Sequence, residues 1–256
     1  GINVYIKPET QHEAVHIPVV LSQAGLKDVV YNDFYVGEGA DVVIVAGCGI
    51  HCGSDDGSQH DGIHTFHIGK NARVRYVEKH YGDGDGKGQK IMNPETIVHM
   101  EEGSYMEMET TQIKGVDSTK RITKADLAAS ATFIVKEKLM TDGVQFAETD
   151  FEVELNGKDS STDVVSRAVA RGTSHQIFRA KVIGNAQCHG HSACDSIIMD
   201  DAKISAIPEL TANDTDAALI HEAAIGKIAG EQLTKLMTLG LTAEEAEEMI
   251  IQGFLK

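Results

Sequence analysis

Residues 188–195 read Cys-His-Gly-His-Ser-Ala-Cys-Asp, the densest grouping of soft and borderline metal ligands in the chain. Four soft or borderline ligands in seven residues suggest a metal. Spacing weakens the simple zinc reading. Neighbouring residues of an extended strand point to opposite faces, so Cys188 and His189 cannot both meet one ion. Cys188 and Cys194 share parity and can. A second pair, Cys48 and Cys52, flanks His51 far upstream. The glycine-rich Gly82-Asp83-Gly84-Asp85-Gly86-Lys87-Gly88 invites a phosphate-cradle reading, but no Gly-Lys-Ser/Thr follows, so it is expected to be a flexible turn.

The elements that must hold these residues are β-rich. Among 256 residues, 41% are hydrophobic, 25 are glycine, 5% are aromatic and none is tryptophan. That favours short strands and tight turns over a helical bundle. Apolar segments alternate along the chain, as in Val42–Val45, Val74–Val77, Thr132–Val135, Phe151–Leu155 and Ile177–Ile183. Many follow a Gly or small-residue turn: Glu38-Gly39-Ala40, Gly69-Lys70-Asn71-Ala72, Glu102-Gly103-Ser104, Ala128-Ala129-Ser130. A turn-then-strand unit at a period of roughly 20–30 residues cannot bury its apolar face alone, so stacked units must share a core. A right-handed parallel β-helix over 1–228 is the expected fold, with a β-sandwich as the alternative. On such a solenoid the two cysteine pairs lie over 20 Å apart, at about 4.8 Å per strand, and do not share an ion.

The period turns helical in 229–256. Leu233, Leu236, Met237 and Leu239 share one side of a first helix, and Gly240 ends it. Thr242-Ala243-Glu244-Glu245 forms a capping box before a stripe of Ala246, Met249, Ile250 and Phe254. This α-helical subdomain is expected to close the end of the solenoid, as a cap or a docking surface.

A net charge of −16 argues against nucleic acid or an anionic membrane as partner. No apolar run reaches 18 residues, and no secretory signal is visible. The chain opens on Gly1 in mid-pattern, which is compatible with a preceding segment. Four cysteines set among histidines in an acidic chain read as reduced thiols, and hence a cytoplasmic protein.

The stretch from Arg171-Gly172-Thr173 through Cys194-Asp195-Ser196 to Leu219-Ile220-His221-Glu222-Ala223 and Lys227-Ile228 resembles the SufB/SufD family, scaffold subunits of the SUF iron–sulfur assembly system. The tail Gln232-Leu233 through Gly253-Phe254 continues the likeness. His60-Asp61-Gly62-Ile63-His64-Thr65-Phe66 and Tyr76-Val77-Glu78-Lys79-His80-Tyr81-Gly82 are similar to the short archaeal and anaerobic-bacterial members. The resemblance implies that Cys194 is a cluster or sulfur-accepting ligand, with His221 and Glu222 meeting it near the interface of two subunits. Thiolate and imidazole ligate cluster iron, and a carboxylate can hold iron before sulfide arrives. The SufB branch often carries an acidic residue where this chain has Ile220, so its ligand set departs from that type.

The resemblance further implies a transiently bound iron–sulfur cluster, a SufC-like ABC-type ATPase docked on the C-terminal helices, and apo iron–sulfur proteins as recipients. With one scaffold type in view, a homodimer is expected. The chain has no Walker motif, so ATP hydrolysis would belong to the partner, and no enzymatic activity of its own is expected. Cys188 is a further candidate cluster ligand, balanced against a buried structural role. His189, His191, Cys48 and Cys52 stay open between ligation and structure. The other histidines, including His60, His64, His67 and His80, are expected to be structural. Two rival functions are a structural zinc-binding solenoid and a β-helical carbohydrate-active enzyme. The second would need a groove with paired carboxylates and aromatic sugar platforms, which a chain without tryptophan supplies poorly.

Overall fold

The computed structural model describes residues 1–256, the side chain of Lys114 excepted. In chain order the strands are β1 (Ile2–Ile6), β2 (Gln11–Leu21), β3 (Lys27–Val36), β4 (Asp41–His51), β5 (Ser58–Ile68), β6 (Arg73–Asp83), β7 (Lys90–Met92), β8 (Glu95–Met100) and β9 (Tyr105–Lys114). They continue with β10 (Ser118–Leu127), β11 (Thr132–Thr141), β12 (Phe146–Leu155), β13 (Ser161–Ala170), β14 (His175–Gly184), β15 (His189–Ile198), β16 (Lys203–Ala212) and β17 (Ala218–Gly226). Two helices follow, α1 (Gly230–Thr238) and α2 (Ala243–Phe254).

The strands form two sheets. One runs β1-β3-β5-β7-β10-β12-β14-β16, with β8 alongside β7 between β5 and β10; the other runs β17-β15-β13-β11-β9-β6-β4-β2. The pairings are parallel. That is a parallel β-helix, and it removes the sandwich alternative, whose sheets are antiparallel. Ser118, Phe146, His175 and Lys203 stack in one column, and Asp41, Arg73 and Tyr105 in another. Rungs are therefore about 28–32 residues long, at or above the top of the expected period.

The recurrent small-residue turns have a specific job. Gly39, Asn71, Gly103, Ser130 and Asp159 all have left-handed φ, between 56° and 70°. Each donates its backbone N–H to the next rung, to the carbonyls of Lys70, Glu102, Ala129, Lys158 and Gln187 respectively. One corner of the solenoid is thus a stack of turns that only Gly, Asn, Asp or a strained residue adopts readily. The Gly82–Gly88 segment packs against residues 52–57. Gly86 N–H donates to the Cys52 carbonyl and Gly88 N–H to that of Ser54. A Cβ at Gly84 or Gly86 would lie 2.1 Å from one of those carbonyl oxygens, so the glycines permit close backbone approach.

Inward-facing residues build one continuous core, from Phe34 and Val42 through Phe66, Tyr76, Met106, Phe133 and Phe151 to Phe178, Cys188 and Cys194. The helices do not close the solenoid end. Ile251 of α2 and Leu255 just after it pack on Val169, with Met140, Ile197 and Phe254 beside them, which is the outer face of the second sheet. The capping box forms as expected, with Thr242 Oγ1 accepting from Glu245 N–H and the Glu245 carboxylate accepting from Thr242 N–H. The buried stripe of α2 is Ala246 and Ile251, while Met249 is exposed. With the helices on the flank, β16 and β17 end their sheets as edge strands.

Candidate functional site

Strand β15 carries the densest ligand grouping and splits it by parity. Gly190, Ser192, Cys194 and Ser196 face the interior with Cys188 just ahead of the strand, while His189, His191 and Asp195 face out. All four cysteines are free thiols. Cys188 and Cys194 share the interior as expected. Six residues of extended chain separate them by roughly 20 Å, at about 3.3 Å per residue, so they cannot hold one ion. Cys188 instead sits at a corner near Gly184: a Cβ there would meet its Sγ at 2.9 Å and Ala217 Cβ at 2.8 Å.

Strand β17 brings His221 to the same interior face. In the β15–β17 register Ser192 lies opposite His221, and Cys194 opposite Ala223. Cys194 and His221 are therefore diagonal neighbours on adjacent strands. Ser192 Oγ lies 2.8 Å from His221 Nδ1, which orients the ring. His221 Nε2 is buried with no hydrogen-bond partner. Burial and the nearby His191 hold His221 below the usual imidazole pKa, so it is neutral at pH 7. A neutral imidazole with an unengaged buried nitrogen is the form that ligates metal.

Burial, reinforced by Glu137 and Asp195, pushes the Cys194 thiol up, against a contact with Ser196 Oγ at 3.4 Å. It is protonated at neutral pH, so any metal bound there would have to displace that proton to solvent or a base. Beneath it in register is Ser166, which donates to Glu137 Oε2 at 2.6 Å. Burial raises the pKa of Glu137, offset in part by Ser166, Arg121 and Thr149.

Glu222 falls on the other side of the sheet. It is next to His221 in sequence, so strand alternation turns it outward, where its Oε1 lies 3.2 Å from His191 Nε2. His191 Nδ1 lies 2.7 Å from Asp163 Oδ1. The hydrogen bond to Asp163 first, then the contacts to Glu222, raise the His191 pKa over the opposing effect of partial burial. The structure thus unites Cys194 with His221 inside, and Glu222 with His191 outside. Among the described residues no three His, Cys, Asp or Glu side chains are arranged to hold a metal ion.

The upstream cysteines are also apart from this site. Cys48 packs with Leu21, Ile50, Met92 and Val116, and burial together with Glu78 pushes its thiol up to about 12. Cys52 donates to the Ser54 and Asp56 carbonyls. Between the two ends lies a buried polar seam that sequence reading missed. Glu78 pairs with Arg121, and its Oε1 also accepts from Tyr76 Oη at 3.1 Å and lies 3.4 Å from His80 Nε2. The available signal was parity: Val74, Tyr76, Glu78 and His80 share one face of β6, and that face is the core.

The unpaired edge of β17 lies directly beside this site. The last two strands expose Ile207, Leu210, Ile220 and Ile225. Open backbone donors and acceptors next to exposed apolar side chains make a surface suited to a further strand. No helix is long and apolar enough to cross a membrane.

Comparison with known proteins identifies a family. A family model described as SUF system FeS cluster assembly, SufBD core domain, matches residues 28–254. The chain is 30% identical, over 90% of its length, to an iron–sulfur cluster assembly SufBD family protein of Archaeoglobus fulgidus, of which it covers 61%. It is 28% identical over 94% of its length to one from Methanocaldococcus jannaschii, covering 76% of that chain. It is 30% identical over 88% of its length to one from Methanothermobacter thermautotrophicus, covering 54% of it.

Proposed function

Because the chain belongs to the SufBD family of the SUF iron–sulfur cluster assembly system, we propose that it is a scaffold subunit on which a nascent cluster is held as cargo at the β17 edge. The observation that carries this reading is the pairing of Cys194 with His221 on one interior face, with the His221 Nε2 buried and unengaged. One thiolate and one imidazole under-ligate a cluster, which commonly takes four protein ligands. A second copy joined across a two-fold axis at β17 duplicates both and completes the set. Glu222 stands at the same junction on the outer face, positioned to receive iron before it passes inward.

Release of the cargo then requires the junction to open, the step assigned here to a SufC-like ABC-type ATPase. Its landing surface is the helical tail, where Met237, Leu239 and Met249 are exposed beside Glu244 and Glu248. Apo iron–sulfur proteins receive the finished cluster. Deleting the residues after Gly230 should abolish ATPase capture in a pull-down, and retained capture removes this part of the reading.

The central test is anaerobic reconstitution of Cys194→Ser with ferrous iron and sulfide, followed by optical spectroscopy and iron and sulfide analysis. Loading should be lost while the melting temperature stays within a few degrees. Parent-like loading would show that Cys194 is not a ligand.

A further inference from the structure

A second site lies on β5, the third strand from the opposite end of the first sheet. Its interior-facing residues run Ser58, His60, Gly62, His64, Phe66, Ile68. Two buried imidazoles thus flank a position with no side chain. A Cβ built at Gly62 would have as its three nearest atoms His64 Nε2 at 3.3 Å, His60 Nε2 at 3.5 Å and His64 Cδ2 at 3.9 Å. Both rings turn their Nε2 atoms toward the same space.

The hydrogen bonds assign the protons on both rings. Asp28 Oδ2 lies 2.9 Å from His60 Nδ1. A carboxylate only accepts, so Nδ1 carries the hydrogen, and in the neutral ring Nε2 has the lone pair. That lone pair is buried and has no partner. For His64 the argument starts at Asn32, whose Oδ1 accepts from Ile2 N–H at 3.1 Å and so turns its amide nitrogen toward His64 Nε2, 3.3 Å away. The amide nitrogen only donates, so His64 Nε2 also carries a lone pair. His64 Nδ1–H then donates to Tyr76 Oη at 2.7 Å, and Tyr76 donates onward to Glu78. Each bond requires the next; the His60 Nε2 lone pair is left free, and the His64 Nε2 lone pair is held by the single 3.3 Å contact to Asn32, with both nitrogens facing the space at Gly62.

We propose that His60 Nε2 and His64 Nε2 form a binding site for a first-row divalent transition-metal ion in the space at Gly62, the ion displacing the Asn32 amide from His64. Imidazole nitrogen suits Zn²⁺, Co²⁺ and Fe²⁺, at about 2.0–2.1 Å for zinc. His60 already has the outer arrangement of a metal-ligating histidine, with a carboxylate on Nδ1 fixing tautomer and orientation. Asp28 is partly exposed, and β1 pairs only with Asn32–Val36, so Lys27–Tyr31 has no strand above it among the described residues and offers a path inward. Two protein ligands leave the other coordination positions to water, which makes a weak, exchangeable site. The expectation that His60 and His64 are structural gives way here to ligation. The inference does not depend on the assembly role, since it concerns residues on the first sheet far from Cys194.

The test uses the whole chain, stripped of metal and titrated anaerobically with Co²⁺, whose visible bands report nitrogen ligation. Gly62→Ala fills the space and keeps both histidines. Its φ is not in the left-handed region and its contacts are side-chain atoms, so it should fold. The parent should bind one more equivalent of Co²⁺ than Gly62→Ala, and His60→Gln should lose the same equivalent. Thermal melts of the apo forms identify any variant that fails to fold, and Gly62→Ala decides if His60→Gln does. Equal stoichiometry and spectra in parent and Gly62→Ala would overturn the proposal, as would a parent that takes up no cobalt beyond the sites it shares with the variant. Either result assigns the space to water.

Discussion

Arg121→Met isolates the most consequential buried charge pair in the solenoid. Arg121 and Glu78 are both almost completely buried and directly paired, with His80, Tyr76 and His64 around them and Glu137 on the far side. Burial alone would raise the Glu78 pKa, but Arg121 and His80 reverse that and hold it well below the usual carboxylate range. Removing the guanidinium leaves a carboxylate without its counter-charge, which costs about 3–5 kcal/mol in buried pairs. The pH dependence has a definite sign. In the parent the depressed pKa stabilises the fold above the unfolded carboxylate value, and that contribution is lost in acid. In the variant Glu78 titrates above its unfolded value, so the variant regains stability as the pH falls. The parent–variant gap should therefore be largest at pH 7.5 and shrink by up to about 1.4 kcal/mol per pH unit toward pH 5. Urea denaturation followed by circular dichroism at both pH values measures it, using midpoints because a solenoid can unfold in stages. A gap below about 1 kcal/mol at pH 7.5, or one independent of pH, would refute the account of a charge-compensated interior.

With its thiol pushed up to about 12, Cys48 should resist alkylation by iodoacetamide at pH 8 in the native protein and react only when the chain unfolds; fast native labelling mapped to Cys48 would contradict its burial. Thr242→Ala removes one arm of the capping box and should weaken α2 by about 1 kcal/mol, seen as faster amide exchange across Ala243–Phe254 with the strands unchanged; exchange that stays at parental rates would show that docking on Val169, not the cap, holds the helix. Val169→Asp should release α2 from its flank and raise exchange over the same residues, whereas a helix docked elsewhere would not respond.

The solenoid was legible because two independent signals coincide in each rung. Alternation selects the strand faces, and the small or left-handed-tolerant residue at Gly39, Asn71, Gly103 and Ser130 marks where the chain must turn. The helices were legible as helices, down to the Thr242 capping box, but not in their placement. An amphipathic stripe states that a helix must dock and not where. The docking site, Val169 flanked by Met140 and Ile197, consists of outward-facing residues on three different rungs. Nothing in their local pattern separates them from ordinary half-exposed strand residues.

At the candidate site, what was legible and what was missed obey one rule. Cys194 and His221 are 27 residues apart in the sequence, about one rung, a spacing that puts them on neighbouring strands. The observed stack places His221 opposite Ser192, a shift of two residues that preserves parity and so keeps both side chains inside. The same parity sends Glu222 outward, because it directly follows His221 in a strand, and that consequence was available from the sequence. It also places Glu78 inside, on the face shared by Val74 and Tyr76, although residue type suggests that Val77 should be buried and Glu78 exposed. Hydrophobicity and parity disagree there, and parity prevails because slipping β6 by one residue would turn Val74 and Tyr76 out of the core. The cost of burying Glu78 is then offset locally by Arg121, which the parity of β10 delivers to the same interior. A charged residue at a core-parity position of a solenoid strand therefore predicts an oppositely charged residue at core parity on a nearby strand, and here the pair is separated by 43 residues.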